Sequence, residues 1–295
     1  MNLNRYFQDK IVWVLIGTNF FFASLFCILN AFFTHYHGNF YIPMLWIGLL
    51  PLMLALYVFS NAVREHSPKM TFFTRNYTLY IFILLSFAAL ATGVQYTPFP
   101  TIDLNLVKID AFLGFSTPGV VNWTMSHPTI KVIFEYCYDA LDIELFVAPM
   151  IIVWLGEKET VQHFFVMICL GFLMACLIYY FLPTAAPVSV FKNVSFLPQE
   201  HFTSTKYFEI HHYLPLTVHD SSLIAFPSMH VVWAMALLYL VHRHFWLFYP
   251  LLILNSLVIL ATMFLGWHYL TDVIAGMLVM AISAYLGREL LKASL

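Results

Sequence analysis

Long apolar runs without a charged side chain constrain this chain more than any other feature. Five of them cover residues 11–33, 42–62, 77–96, 164–182 and 245–265. Each run is long enough, at about 20 residues, to cross the 30 Å hydrocarbon core of a bilayer as a helix. Charged residues make up 9% of the chain and apolar residues 61%, whereas soluble domains carry about a quarter charged residues. The sequence therefore predicts an all-α integral membrane protein.

Three weaker runs complete the predicted membrane domain. Residues 132–155 carry four acidic side chains, residues 228–242 are few for a span, and residues 269–287 include Asp272. We count all three as membrane spans. The fold class predicted is an all-α, polytopic bundle of about eight transmembrane helices, in a single integral membrane domain covering residues 1–295.

The distribution of basic residues predicts the orientation of this bundle. Eight crossings place both termini on one side, and cytoplasmic loops carry an excess of Lys and Arg. The side of the termini holds nine basic residues: Arg5, Lys10, Arg64, Lys69, Arg75, Lys158, Arg243, Arg288 and Lys292. The opposite side holds four: Lys108, Lys131, Lys192 and Lys206. We expect cytoplasmic termini and an active site on the extracytoplasmic side, periplasmic or lumenal.

Charge and cysteine content exclude other classes of protein. The formal net charge is -2 and no long basic run occurs, so nucleic acid is not an expected partner. The four cysteines all lie inside apolar runs without a paired spacing. They predict neither a disulfide framework nor a zinc site.

Two long interruptions of the apolar pattern cover residues 97–130 and 183–227. Both are rich in Pro, Ser, Thr, Asn and His, and loops of this length are often functional. The apolar residues of the first include Leu106, Ile109 and Phe112, which suit short amphipathic segments on the membrane surface. Such segments act either as a lid over a site or as a packed loop.

Two short strings near the C-terminal end place ionisable groups among apolar residues. In the string 266–272, His268 and Asp272 are four residues apart, so on a helix their side chains share one face. A carboxylate that holds Nδ1 of an imidazole leaves Nε2 basic and nucleophilic. This pair is therefore a candidate for attack on phosphorus or for proton abstraction.

The second string, at 226–230, supplies a complementary group. Pro227 and Ser228 precede His230, and a proline with a serine is a typical helix start. His230 then lies in the first helical turn, where free N–H groups favour a bound phosphate. We expect His230 to act as the acid and Ser228 to help bind the anion.

Acidic residues in the span 132–155 form a further candidate group. Glu135, Asp139 and Asp142 are spaced i, i+4 and i+7 on one helical face. Acids at membrane depth are functional by default, and these are expected to bind the polar part of a substrate. The alternative is that this end of the helix lies at the membrane boundary with its acids in water.

Histidine and aspartate are also metal ligands, which leaves a metal site as an alternative reading. No third ligand follows at a recognisable interval, and no zincin-like string is present. We therefore predict neither a metal nor a cofactor.

The two strings together resemble a known family. Pro227, Ser228 and His230, followed by His268, Tyr269, Asp272 and Gly276, are similar to the second and third signature motifs of the phosphatidic acid phosphatase type 2 superfamily. The strings Pro-Thr-Ala-Ala-Pro at 183–187 and Ala-Thr-Met at 261–263 resemble the branch of the inositol phosphorylceramide synthases and sphingomyelin synthases.

The resemblance implies a mechanism and a core. His268 would be the nucleophile that forms a phosphohistidine, Asp272 its orienting partner, and His230 the acid and then the base, without a metal. It also implies a six-helix catalytic core at residues 77–292, with two extra helices within residues 1–63.

One position departs from the family pattern. The phosphatase branch carries an arginine six residues before the nucleophile, where this chain has Thr262. Arginine is the side chain best matched to phosphate, so its role would pass to Ser228, Thr262, the helix N-terminus or a distant lysine. Tyr269 is also expected to contact the substrate.

The missing arginine favours the transferase branch. The predicted function is transfer of a phosphoryl or phospho-head group between membrane phospholipid or sphingolipid substrates. A phosphatase that acts on phosphatidic acid or a polyprenyl pyrophosphate with water as acceptor is the alternative within the family. A non-catalytic lipid carrier or transporter is the alternative from another class.

Overall fold

The computed structural model describes residues 3–38, 44–62, 67–219 and 223–293, and every regular element in these ranges is helical. This confirms the all-α prediction. The α-helices are Leu3–Leu29 (α1), Met44–Ala62 (α2), Pro68–Val94 (α3), Asp103–Phe112 (α4), Thr117–Met125 (α5), Pro128–Leu155 (α6), Lys158–Phe181 (α7), His201–His211 (α8), Met229–Val241 (α9), Phe245–Phe264 (α10) and Leu270–Ala293 (α11).

Each of the eight predicted spans corresponds to a helix: α1, α2, α3, α6, α7, α9, α10 and α11. Residues 42 and 43 of the second predicted span lie outside the described residues. Within the described part of the chain, five helical segments are long and apolar enough to cross a membrane: Lys10–Thr34, Pro68–Val94, Lys158–Phe181, Phe245–Phe264 and Leu270–Ala293. The other three helices are α2, α6 and α9. The acids of α6 and the 13-residue length of α9 explain why these two are not among the five, and of α2 only the shorter apolar segment Met53–Ala62 is counted.

The centre of the bundle is formed by α7 and α9. Helix α7 contacts α1, α3, α9 and α11, while α9 contacts α6, α7, α10 and α11. Helices α1 and α2 pack against α3. The division of the chain into two extra N-terminal helices and a catalytic core at 77–292 stays a prediction.

The outer surface of the bundle is apolar. Phe245 is 73% exposed, and Ile253 and Leu278 also project outward from their helices. Extended apolar surfaces of this kind mark contact with lipid or with a partner. Because α10 and α11 are also candidate membrane spans, the surface fits a protein embedded in a bilayer.

Connecting segments meet at two opposite ends of the bundle. At one end, the Ile102 N–H donates to the Pro183 carbonyl at 2.9 Å, and the Tyr213 hydroxyl donates to the Thr34 carbonyl at 2.7 Å. The chain after α1, α3 and α7 therefore lies at that end. At the other end, Arg243 pairs with Glu157 at 3.2 Å, which joins the segments after α6 and α9.

The long interruption at 97–130 contains α4 and α5, in agreement with the expected helical pieces. Phe112 of α4 is 89% exposed and Ile109 is also exposed, whereas Leu106 is buried beside Asp103 and Asp110. The apolar face of α4 is thus turned outward and its acids inward. This arrangement is the reverse of a surface helix in water, and it suits a helix that rests on lipid.

Candidate active site

The loop between α10 and α11 carries His268. Gly266 in this loop has φ +100°, and a Cβ at this position would lie 2.6 Å from a ring carbon of Phe196. Both the positive φ of the turn and the close approach of Phe196 therefore require a glycine at this position. The His268 N–H donates to the Thr262 carbonyl at 2.9 Å, which fixes the loop to the end of α10.

The side chains of His268 and Asp272 lie next to each other, with His268 in the loop and Asp272 in the first turn of α11. Nδ1 of His268 lies 3.3 Å from Oδ2 of Asp272, and the same oxygen accepts the Tyr269 backbone N–H at 2.9 Å. Asp272 is fully buried and His268 is 4% exposed. An imidazole held through Nδ1 presents Nε2 on its opposite side.

Burial sets the charge of this imidazole. Loss of solvent lowers the pKa of His268 to about 4, although a hydrogen bond with the Ala225 backbone opposes the shift. The side chain is therefore neutral at neutral pH, and a neutral imidazole has the lone pair that a nucleophile requires.

His230 faces His268 from the start of α9. The two ring centroids are 5.8 Å apart, with an angle of 62° between the planes. The Ser228 N–H donates to the Asp272 backbone carbonyl at 3.0 Å, so the beginnings of α9 and α11 are joined directly. The two strings of the sequence thus meet at one site.

Two aromatic residues that were not among the predicted site residues stack beside His230. The Tyr138 ring lies 4.2 Å from the His230 ring, and the Tyr138 hydroxyl is 3.5 Å from Nδ1 of His230. Trp267 stacks on the other side of Tyr138 at 5.1 Å. Trp267 adjoins His268 in the sequence and Tyr138 adjoins the acids of α6, but aromatic residues are too frequent in this chain for either position to be a signal.

The histidines open on a cavity of about 740 Å³. Polar side chains form one part of its wall: Tyr138, Asp142, Gln199, Thr203, Thr217, His219, His230 and His268. Apolar side chains form the other part, and they include Ala91, Leu141, Leu145, Phe172, Met229 and Trp233. The cavity beside the histidine pair therefore has a mixed lining of polar and apolar side chains.

The three acids of α6 have different surroundings. Asp142 lines the cavity. Glu135 forms an ion pair with Lys131 at 3.8 Å, and Asp139 is exposed outside the cavity wall. A fourth acid of this helix, Glu144, points elsewhere, since its Oε2 accepts a hydrogen bond from Asn255 at 2.7 Å.

The other predicted substrate-binding residues lie behind the wall rather than in it. Thr262 is buried, and its hydroxyl donates to the Ile259 carbonyl at 2.7 Å. The Tyr269 hydroxyl donates to Oδ1 of Asp103 at 3.1 Å. Ser228 occupies the N-cap position of α9, as predicted, but its side chain makes no capping hydrogen bond. The roles of these residues in binding stay predictions.

Among the described residues that line the cavity, none is a lysine or an arginine. One lysine contacts a residue of the wall: Nζ of Lys206 in α8 donates to the His219 carbonyl at 3.2 Å, and His219 lines the cavity. Among the described residues, no group of three or more His, Cys, Asp and Glu is placed to hold a metal ion.

Comparison with known proteins identifies the family. A family model described as the PAP2 superfamily, which is the phosphatidic acid phosphatase type 2 superfamily, matches residues 104–286. No curated protein and no solved structure gives a match. The family match covers more than half of the chain and includes both histidine strings, but it does not separate the branches of the superfamily. This chain belongs to the PAP2 superfamily.

Proposed function

We propose that this protein transfers a phosphoryl or phospho-head group from one membrane lipid to another through a phosphohistidine at His268. The observation that carries the proposal is the pairing of a buried, neutral His268 with Asp272, opposite His230, at a cavity of about 740 Å³. Membership of the PAP2 superfamily agrees with chemistry on lipid phosphates.

The first step forms the phosphoenzyme. Nε2 of His268 attacks the phosphorus of the donor lipid, so that an N–P bond forms and the P–O bond to the leaving alcohol breaks. His230, as the imidazolium, gives its proton to the departing oxygen. Asp272 accepts the hydrogen bond from Nδ1–H and stabilises the positive charge that develops on the His268 ring.

The second step regenerates the enzyme. His230, now neutral, takes the proton of an acceptor hydroxyl, and the acceptor oxygen attacks the phosphorus. The new P–O bond forms as the N–P bond breaks, and His230 is left protonated for the next donor. One histidine thus serves as acid in the first step and as base in the second.

The cavity wall supports a lipid rather than water as the acceptor. Its apolar lining residues include Leu141, Leu145 and Phe172, which suit the chain of an amphiphilic acceptor. We assign Asp142, in the polar part of the wall, to hydrogen bonding with hydroxyl or amino groups of a lipid head. The donor and acceptor are membrane phospholipids or sphingolipids.

The test uses purified protein in lipid vesicles with a ³²P-labelled lipid phosphate and an unlabelled lipid alcohol. The expected product is a new labelled lipid, together with acid-labile label on the protein at His268. His268→Ala should reduce the rate at least about 10³-fold, because the nucleophile is absent. His212→Ala is the control, since His212 is exposed directly after α8 and does not line the cavity.

Each other result contradicts part of the proposal. Free labelled phosphate without a new lipid identifies water as the acceptor and the protein as a phosphatase. Normal turnover by His268→Ala excludes the phosphohistidine. Movement of labelled lipid between leaflets or vesicles without any chemical product identifies a lipid carrier.

A further inference from the structure

Helix α4 directs two carboxylates towards the interior of the protein. Asp103 and Asp110 are 3% and 2% exposed, and they share a face with the buried Leu106. The opposite face carries Leu104 and Phe112, which are both exposed. Buried carboxylates are costly unless hydrogen-bond donors satisfy them, so their partners indicate what this face is for.

Asp110 binds the first turn of α11. Its Oδ2 accepts the Leu270 N–H at 2.9 Å, and its Oδ1 accepts the Thr271 N–H at 2.9 Å and the Thr271 hydroxyl at 2.5 Å. The first N–H groups of a helix lack partners within the helix. A residue from another helix therefore caps α11 immediately before Asp272.

Asp103 reaches the same loop through a side chain. Its Oδ1 accepts the Tyr269 hydroxyl at 3.1 Å and its Oδ2 accepts the Ala185 N–H at 2.9 Å. Burial raises the pKa of Asp103, while these hydrogen bonds oppose the rise. The carboxylate is thus anchored on one side to the segment that follows α7 and on the other to Tyr269.

Tyr269 connects this carboxylate to the reactive pair. Its backbone N–H donates to Oδ2 of Asp272 at 2.9 Å, and that oxygen faces Nδ1 of His268 at 3.3 Å. The residue is fully buried. Tyr269 therefore links Asp103, which its hydroxyl contacts, to Asp272, which its backbone N–H contacts, and Asp272 in turn contacts His268.

We propose that α4 is a brace for the reactive loop. Asp103, through Tyr269, and Asp110, through the first turn of α11, hold the Asp272 carboxylate against Nδ1 of His268. These are positioning residues, because none of Asp103, Asp110 and Tyr269 lines the cavity. The inference rests on the proposed function in that His268 is the nucleophile whose geometry is held.

The expected effect falls on the chemical step. The partner of Nδ1 decides which nitrogen of a neutral imidazole carries the proton. Nucleophilic attack by Nε2 requires the proton on Nδ1. A misplacement of 1 Å at a reacting group costs about 100-fold in rate, whereas a lipid that contacts none of the bracing residues should bind as before.

Kinetic measurements test this expectation on Asp103→Asn and Tyr269→Phe. Both variants conserve side-chain volume, and Tyr269→Phe removes only the hydroxyl. We expect kcat to fall about 10- to 100-fold, with KM changed less than twofold. Asn105→Ala is the matched control, because Asn105 lies on the exposed side of the same helix; its kcat should equal that of the wild type.

The tautomer of His268 is a second measurement, and it should not change if Asp103 and Tyr269 only stabilise the fold. In ¹⁵N NMR spectra of histidine-labelled protein, the His268 signals are assigned by their loss in His268→Gln. The wild type should show the Nδ1–H tautomer, and Asp103→Asn and Tyr269→Phe should shift the population towards Nε2–H. If both variants keep the wild-type tautomer, the proposal that α4 positions His268 is wrong, even if the unfolding temperatures of the variants fall.

A double-mutant cycle on kcat shows whether Asp103 and Tyr269 act through their shared hydrogen bond or independently. If Asp103 acts through Tyr269, the double variant should be no slower than the slower single variant; multiplied losses contradict the proposal. A wild-type protein that is inactive on every lipid phosphate refutes the proposed function instead. The tautomer populations then still decide whether α4 braces His268.

Discussion

His268 is kept almost entirely from water, and this couples its protonation to the stability of the fold. The pKa of His268 is lowered to about 4 by burial, whereas an unfolded histidine titrates at about 6.5. Between these values the unfolded chain binds a proton that the folded protein does not. Stability contributed by this group is therefore complete above pH 6.5 and decreases as the pH falls towards 4.

Replacement of the imidazole should remove this dependence. We expect His268→Gln to gain on the order of 2 kcal/mol of stability relative to the wild type as the pH falls from 7 to 4.5, at about 1.4 kcal/mol per pKa unit. Thermal unfolding of both proteins in the same detergent across this range measures the difference. A constant difference in unfolding temperature would show that His268 titrates alike in the folded and unfolded states.

The sequence predicts the reactive pair better than it predicts the residues that hold the pair in place. His268 and Asp272 are only four residues apart, so a single turn of chain, from the loop before α11 into its first helical turn, brings them together. Asp103 and Asp110 lie about 160 residues before the groups that they bind, and an acid in a polar loop gives no sign of such a partner. Thr262 replaces an arginine of the family pattern, but only the fold shows that its hydroxyl is directed into its own helix.

Among the elements, the crossing of α9 and α11 depends on a single glycine. A Cβ on Gly276 would lie 2.7 Å from the Ser228 backbone oxygen and 3.1 Å from Cβ of Val231. Backbone atoms cannot rotate away, so Gly276→Ala should force the two helices apart. Because His230 and His268 lie at the start of these helices, we expect about a 10-fold or larger loss of activity and a destabilisation of about 1–3 kcal/mol.

Gly17→Ala is the matched control. This glycine also lies in a long helix, but a Cβ there would meet no atom within 4 Å. Alanine favours a helix by up to about 1 kcal/mol over glycine, so the control should be as stable as the wild type or more stable. Unfolding temperature and lipid phosphoryl transfer are measured for both variants. Full activity in Gly276→Ala would contradict the need for this close approach.

The periodicity of the spans predicts the long helices but not the orientation of the short ones. In the described part of the chain, each of the eight predicted runs forms a helix, since lipid leaves the backbone few other ways to satisfy its hydrogen bonds. Helix α4 follows a different rule, because its acids find buried donors while Ile109 and Phe112 face outward. A hydrophobic pattern cannot distinguish a face that meets the protein core from one that meets lipid.

At the scale of the whole molecule, the distribution of basic residues distinguishes the two ends of the bundle. The ion pair of Arg243 with Glu157 lies at the end that also carries Lys292, while Lys192 lies at the end of the histidine pair. The positive-inside rule predicts that the first of these ends is cytoplasmic.

Labelling of introduced cysteines tests this orientation in intact cells. A membrane-impermeant maleimide should label Lys192→Cys directly and Lys292→Cys only after the membrane is permeabilised. Wild-type protein supplies the background, since Cys137, Cys169 and Cys176 are buried and Cys27 is half-buried. The opposite labelling pattern would place the active site on the cytoplasmic side.

The cavity extends deep into the bundle, and this affects how the protein meets its substrates. Phe172 in its wall lies nine residues before the end of α7, which corresponds to about 14 Å along the helix. Under the proposed function, a lipid with its phosphate at His268 would place its chain against the apolar side chains of this wall. The proposed donor and acceptor would then reach the protein by lateral diffusion, and their mole fraction in the bilayer, rather than their molarity in solution, would govern saturation.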